Sequence, residues 1–145
     1  MTVYLTLEEV VATHYLTMKR FNDEAEAGIK FPDRLEAVVY RPMAESFGHE
    51  VHPTLWRKAA AMTQSLVQDH PFHNGNKRTA LAALGTFLRL NGYILGLTNR
   101  DAEELMVAVA ADKRYKGEDG LTLLAQELEK ASISREPYEK DGKGL

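Results

Sequence analysis

The 145-residue sequence contains no cysteine, which excludes disulfides, thiolate metal sites and a cysteine nucleophile. It also has no apolar run near the roughly 20 residues that cross a membrane. No positive N-terminal segment followed by an apolar one is present, so a secretory signal is not predicted. A chain without disulfides fits a reducing compartment, and we expect a cytoplasmic protein with no membrane partner.

An excess of positive charge is absent too. The chain has 18 lysines and arginines against 21 acidic residues, for a net charge of −3. Proteins that bind nucleic acid usually carry a basic stripe, so we expect no nucleic-acid partner. The remaining composition, 44% hydrophobic and 27% charged, is ordinary for a globular domain. A domain of this length can fold without disulfides or a structural metal.

Apolar residues recur at helical spacing along most of the chain, which predicts an all-α domain of about six helices. Thr6-x-x-Glu9 forms a capping-box pattern, and Thr54 and Thr98 can cap later helices. A further helix is expected from about Leu121.

The connections are predicted from turn residues. A loop or short β-hairpin is expected between residues 43 and 53, and a short extended piece at residues 93–95. Residues 1–131 are assigned to a single domain, and residues 132–145 to a polar, mobile tail because Pro137, Gly142 and Gly144 follow polar sequence.

The segment from residue 70 to residue 78 reads HPFHNGNKR and interrupts two apolar helices. The first backbone N–H groups of a helix lack internal partners and carry partial positive charge, so a helix that resumes at Asn76 favours an anion in front of it. Gly75 permits a positive φ and a close approach of the anion. Lys77 and Arg78 oppose the helix dipole unless an anion binds, which indicates an anion site.

A histidine stands at the start of this segment. The neutral imidazole of His70 can accept a proton from a hydroxyl near pH 7. A base beside an anion pocket is the equipment of phosphoryl or nucleotidyl transfer. The residues alone leave alternatives open, because a histidine at a helix end is often a cap, Asn-Gly is often a turn, and a Lys-Arg pair is often solvated.

The other histidines are interpreted structurally. His14 lies on an apolar helical stripe and is expected to be a hydrogen-bonded core residue. His73 is expected at the surface, and His49 and His52 are expected to be solvated beside the hairpin.

The motif HPFHNGNKR resembles the signature of the Fic/Doc family, and Lys77 makes it similar to the Doc-like (death-on-curing) toxins. The resemblance extends over nearly everything up to about residue 130, including the apolar helix that follows the motif. It implies a Fic-like six-helix domain in which residues 43–51 form a flap that docks the target segment by strand-like pairing.

The resemblance also assigns roles to the motif. It implies that His70 is the catalytic base and that Phe72 anchors the loop. Gly75 and Asn76 would line the anion hole. Lys77 and Arg78 would hold phosphate oxygens of ATP, the co-substrate.

Position 77 separates two reactions within the family. Lysine there implies a protein kinase that phosphorylates a translation factor such as elongation factor Tu, with a small antitoxin as the neutralising partner. The alternative is AMP transfer to a protein hydroxyl, which Fic proteins with glycine at this position carry out.

Asn74 departs from the family pattern, which has an acidic residue there to hold Mg²⁺. The resemblance implies Mg²⁺ as cofactor, but Mg²⁺ prefers charged oxygen ligands, so the amide of Asn74 is a weaker metal ligand. The metal would then be held mainly by phosphates, or with the help of another carboxylate such as Asp69. This leaves a further hypothesis open, a catalytically degenerate nucleotide-binding module. An RNA-cleaving toxin that uses a histidine and an arginine is the third alternative, disfavoured by the negative net charge.

Overall fold

A computed structural model of the chain describes residues 1–137 and residue 140. Six α-helices dominate it, as the sequence predicted. They are α1 (Leu7–Arg20), α2 (Pro32–Tyr40), α3 (Leu55–Gln68), α4 (Asn76–Leu90), α5 (Asn99–Ala111) and α6 (Gly117–Ala131). Within the described residues, no helix is both long and apolar enough to cross a membrane.

Capping side chains fix the starts of three helices. Thr6 and Glu9 form the predicted capping box at α1, and the hydroxyls of Thr54 and Thr98 accept backbone N–H groups at α3 and α5. Each of these predictions is confirmed.

The start of α6 differs from the prediction. The helix begins at Gly117, whereas the apolar pattern predicted a start at about Leu121. Two glycines in its first turn hid it, because glycine disfavours helices. Gly120 is required there, since an added Cβ would lie 2.0 Å from the backbone carbon of Tyr115 in the preceding turn.

Helix α3 lies at the centre of the fold and packs against α2, α4, α5 and α6. Every residue from 58 to 67 is buried, so the helix is covered on all sides. Its two glutamines join it to the turn before α6: Gln64 donates to the carbonyls of Tyr115 and Gly117, and Gln68 to those of Val109 and Tyr115. The helix ends two residues before His70.

Two short antiparallel strand pairs complete the fold. Strands β1 (Glu45–Ser46) and β2 (His49–Glu50) form the predicted hairpin. Strand β3 (Tyr93–Leu95) was expected as an extended piece, and its partner is β4 (Ser132–Ser134). The prediction of a mobile tail is therefore wrong for residues 132–134, because their backbone groups pair with β3. Residues 138, 139 and 141–145 of the predicted tail lie outside the described residues.

Candidate anion-binding site

The motif loop connects α3 to α4 and is held by a second segment of the chain. The Pro71 carbonyl accepts the N–H groups of Lys30 and Phe31 at 2.8 and 3.0 Å, and the His73 N–H donates to the Gly28 carbonyl at 3.0 Å. This pairing of residues 28–31 with the motif was not predicted. It leaves the His70 side chain exposed at the start of the loop, on a backbone with φ of +49°. Non-glycine residues with such backbone angles cluster at functional sites.

Phe72, to which the resemblance assigns the anchoring of the loop, is a buried residue. Its side chain is 1% exposed. The Asn76 side chain clamps its backbone, since Asn76 Oδ1 accepts the Phe72 N–H at 3.0 Å and Asn76 Nδ2 donates to the Phe72 carbonyl at 3.0 Å. Both ends of the Asn76 amide are therefore used inside the loop, and only its backbone N–H remains to line the anion hole.

His14 of α1 supports Phe72 from below. The two rings stack with centroids 3.8 Å apart, and the imidazole lies between the Thr79 hydroxyl and the Gly28 N–H, each at 3.0 Å. Nε2 accepts from Gly28, so Nδ1 carries the proton and donates to Thr79. The prediction of a hydrogen-bonded core histidine is confirmed. Burial, with a smaller contribution from the positive charge of Arg78, lowers the pKa of His14 to about 4.

We expect the folded chain to lose stability as the pH falls from about 6.5 to about 4. Neutral His14 is favoured in the folded state, so its contribution is complete above the ordinary pKa of 6.5 and is lost as pH approaches the folded pKa of about 4. A shift of this size corresponds to about 3 kcal/mol. Urea titrations at pH 7 and pH 4.5 measure the loss, and His14→Gln is the control because it removes the titration. An unchanged pH dependence in the variant would contradict this account.

The N-terminus of α4 has backbone features that favour anion binding. Gly75 precedes the helix with φ of +71°, and no side chain caps the first turn. The backbone N–H groups of Asn76 and Lys77 therefore face outward as donors, with the positive end of the helix dipole behind them. Space also requires glycine here, since a Cβ on Gly75 would lie 2.3 Å from the buried Met18 sulfur.

Arg78 is held beside this hole by the segment that follows α1. Its Nη1 donates to Asp23 Oδ2 at 2.8 Å, and its guanidinium carbon lies 4.7 Å from the centre of the Phe21 ring. Nη2 lies on the side of Gly75, 3.7 Å from where a Cβ would be. The chain turns at Asn22, with φ of +59°, between the two residues that contact Arg78. The role of Asp23 was not predicted, because nothing local links it to a residue 55 positions later.

Replacement of Asp23 by asparagine is expected to tighten binding of inorganic tripolyphosphate by about fivefold at low salt. The Asp23 carboxylate repels an anion bound at Arg78. Removing this repulsion in a solvated site strengthens anion binding by about 1 kcal/mol at close range. Calorimetry measures the affinity, and the gain should shrink at high salt. Glu24→Gln removes an exposed carboxylate from the next position and is the matched control. Weaker binding by Asp23→Asn would show that the ion pair is needed to hold Arg78 in place.

A cleft of about 560 Å³ lies between α1, α4 and α5. Lys77 and Arg78 stand at one end, Phe21 lies on its wall, and Glu103 and Val107 come from α5. Its volume is in the range of pockets that hold small ligands. The two motif cations thus face one concave surface.

No group of three acidic or histidine side chains that could hold a metal ion occurs in residues 1–137 and 140. Asn74 is exposed and offers one neutral amide oxygen. Mg²⁺ normally takes one or two carboxylates together with substrate phosphates, so Asn74 suits the metal less well than an acidic residue would.

The remaining histidines follow the predictions in two cases of three. His49 and His73 are exposed. His52 was expected to be solvated but is 4% exposed, because its carbonyl accepts the buried Lys58 ammonium where the chain leaves the hairpin. Burial, with a smaller contribution from nearby cations, lowers the pKa of His52.

Comparisons with known proteins agree with this geometry. The model of the Fic/DOC family matches residues 4–88. The chain is 42% identical over 113 residues to "Toxin Doc" of Mycolicibacterium smegmatis, covering 76% of this chain and 82% of the relative. It is 32% identical over 89 residues to "Protein kinase doc" of Escherichia phage P1, covering 61% of this chain and 68% of the relative. The chain therefore belongs to the Fic/DOC family.

Proposed function

We propose that this protein is a Doc-type toxin that transfers the γ-phosphoryl group of ATP to a hydroxyl of a protein. One observation carries the proposal: an uncapped helix N-terminus preceded by left-handed Gly75 follows an exposed histidine in the motif loop and has the Arg78 guanidinium beside Gly75. The names of the two relatives, one a toxin and one a protein kinase, support both parts of the proposal.

The proposed reaction gives each motif residue a role. His70 accepts the proton of the acceptor hydroxyl, whose oxygen forms a bond to the γ-phosphorus while the bond to the β–γ bridging oxygen breaks and ADP leaves. The α4 N–H groups and Arg78 stabilise the negative charge on the phosphoryl oxygens. The protein contributes positioning and positive charge, which dominate phosphoryl transfer.

Lys77 favours phosphate over AMP transfer. Its side chain is exposed in the first turn of α4 and lines the cleft. A compact ammonium at this point adds charge for a terminal phosphate and takes space that a glycine would leave open.

Mass spectrometry of elongation factor Tu after incubation with ATP and this protein tests the proposal. An added phosphate supports the kinase, and an added AMP would replace it by AMP transfer. Arg78→Ala is the matched variant and should lose the modification. No modification of any protein in a cell extract would overturn the transfer function.

Asn74 favours one alternative, a nucleotide-binding module without turnover. It predicts that the wild type binds ATP without transferring phosphate and that Asn74→Asp gains transfer, because a carboxylate is the stronger Mg²⁺ ligand. Efficient transfer by the wild type would exclude it.

We also infer a small antitoxin as partner, since toxins of this kind are neutralised by binding. The cleft beside Lys77 continues along α4 as a groove with small residues on its floor, Ala82 and Gly85, and Leu16 and Ile94 on its sides. Such a groove fits an amphipathic helix. Expression of the chain alone should arrest growth, and co-expression of its antitoxin should relieve the arrest.

A further inference from the structure

The two ends of the hairpin that carries β1 and β2 meet at one buried ammonium group. Lys58 Nζ donates to the His52 carbonyl at 2.6 Å, where the chain leaves the hairpin, and approaches the Pro42 carbonyl at 3.4 Å, where the chain enters it. It also donates to Glu50 Oε1 of β2 at 2.9 Å. One side chain of α3 therefore contacts both stems and one strand.

A lysine in this position requires a reason, because burying a charge is costly unless it is paired. Lys58 is 2% exposed, and its Nζ lies 5.6 Å from the centre of the Tyr4 ring. Burial alone would lower its pKa, but the hydrogen bond to Glu50 and the proximity of Tyr4 outweigh this and leave the pKa raised. The ammonium is therefore charged in the folded protein and fully occupied with the hairpin.

A second cation holds the entry side of the hairpin on the same helix. Arg41 donates to the Ala61 carbonyl, the Ser65 hydroxyl and the Gln64 side chain, at 3.1, 2.9 and 2.8 Å. All these partners lie on α3, which runs on to the motif loop. The base of the hairpin is thus held on α3, and His70 follows the end of the same helix.

The outer part of the hairpin has few contacts of its own. Phe47 at the tip is 99% exposed with φ of +51°, and Gly48 follows with φ of +79°, which is the geometry of a tight two-residue turn. The two strands pair only with each other in the described part of the chain, so their outer edges keep unpaired backbone groups. An exposed edge with an aromatic tip is suited to an extended peptide.

We propose that Lys58 is a positioning residue that fixes this hairpin, the flap to which the family resemblance assigns docking of the acceptor segment, in its place relative to His70. The inference rests on the proposed phosphoryl transfer. It assigns to Lys58 the binding of the acceptor protein, separate from the binding of nucleotide at α4.

Hydrogen exchange on the full chain tests the first half of the proposal. Lys58→Met keeps the length and burial of the side chain but removes the ammonium. We expect exchange of the amides of residues 44–51 to accelerate by about tenfold or more, because charge-assisted hydrogen bonds are lost, with residues 70–78 unaffected. Lys130→Met, on the exposed end of α6, is the control. Hairpin exchange equal to that of the wild type would overturn the proposal.

Kinetics test the second half. With the acceptor identified by mass spectrometry, Lys58→Met should raise KM for the acceptor about tenfold with kcat retained and with the affinity for tripolyphosphate unchanged. Equal losses in tripolyphosphate affinity would indicate a merely structural role and overturn the proposal. If Lys58→Met does not fold, Glu50→Gln removes one contact from the exposed side and should give the same changes at smaller size. If the wild type transfers no phosphate, the proposed function fails. The role of Lys58 in holding the hairpin is then still supported if Lys58→Met accelerates exchange in residues 44–51 as expected.

Discussion

Replacement of His70 by alanine is expected to slow phosphoryl transfer by about 10²–10⁴-fold while tripolyphosphate affinity stays within about twofold. His70 lies at the start of the loop with its side chain exposed, whereas the anion is held by the N-terminus of α4 and by Arg78. The substitution removes the proton acceptor and leaves the anion hole intact. Initial rates with labelled ATP and calorimetry with tripolyphosphate measure the two quantities separately.

His73→Ala is the matched control for this experiment. His73 is also an exposed histidine of the motif, three positions later, and its contact with the rest of the loop is made by its backbone N–H to Gly28. We expect transfer within about twofold of the wild type, as for surface substitutions in general. A large loss in His73→Ala together with a small loss in His70→Ala would move the base from one histidine to the other.

Asn76→Ala is expected to produce the second large effect, a loss of transfer and of tripolyphosphate binding together. The substitution leaves the N–H and the carbonyl of Phe72 without their side-chain partner. Unpaired groups of this kind cost about 1–3 kcal/mol each, so for two groups we expect a melting temperature lower by about 6 °C or more, and a mobile motif loop.

The readout that separates this effect from that of His70→Ala is the anion affinity. Because the loop amides form the hole, tripolyphosphate binding should fall about a hundredfold in Asn76→Ala, whereas it is retained in His70→Ala. Gln126→Ala removes an exposed amide from α6 and should change neither quantity. If Asn76→Ala retained tripolyphosphate binding, the anion hole would form without the hydrogen bonds between the Asn76 side chain and Phe72.

The features that the sequence predicted are those encoded by neighbouring residues. The capping box at Thr6, the helix stripes and the turn at Gly75 are local patterns, and the structure contains all of them. The motif itself is contiguous, so the order of its nine residues alone predicts that they lie together at one connection between two helices.

The features that were missed depend on contacts between distant positions. Asp23 meets Arg78, residues 28–31 pair with the motif, and β4 pairs with β3. His52 was expected in solvent because the sequence around it does not show that its carbonyl accepts the buried Lys58 ammonium. A polar residue whose partner lies elsewhere in the chain looks like a surface residue until the fold brings the two together.

The central position of α3 has a consequence for when the protein becomes active during its synthesis. The C-terminal half of α3, which leads into the motif loop, is held by Gln64 and Gln68 on the turn before α6, and α6 covers one of its sides. Those contacts are made by residues that are translated well after α3 itself, such as Tyr115, 51 positions after Gln64, and domains assemble as they are translated. A nascent chain that ends before α6 therefore lacks the support for its own motif loop. The motif loop of the growing chain therefore gains its full support only once α6 has been translated.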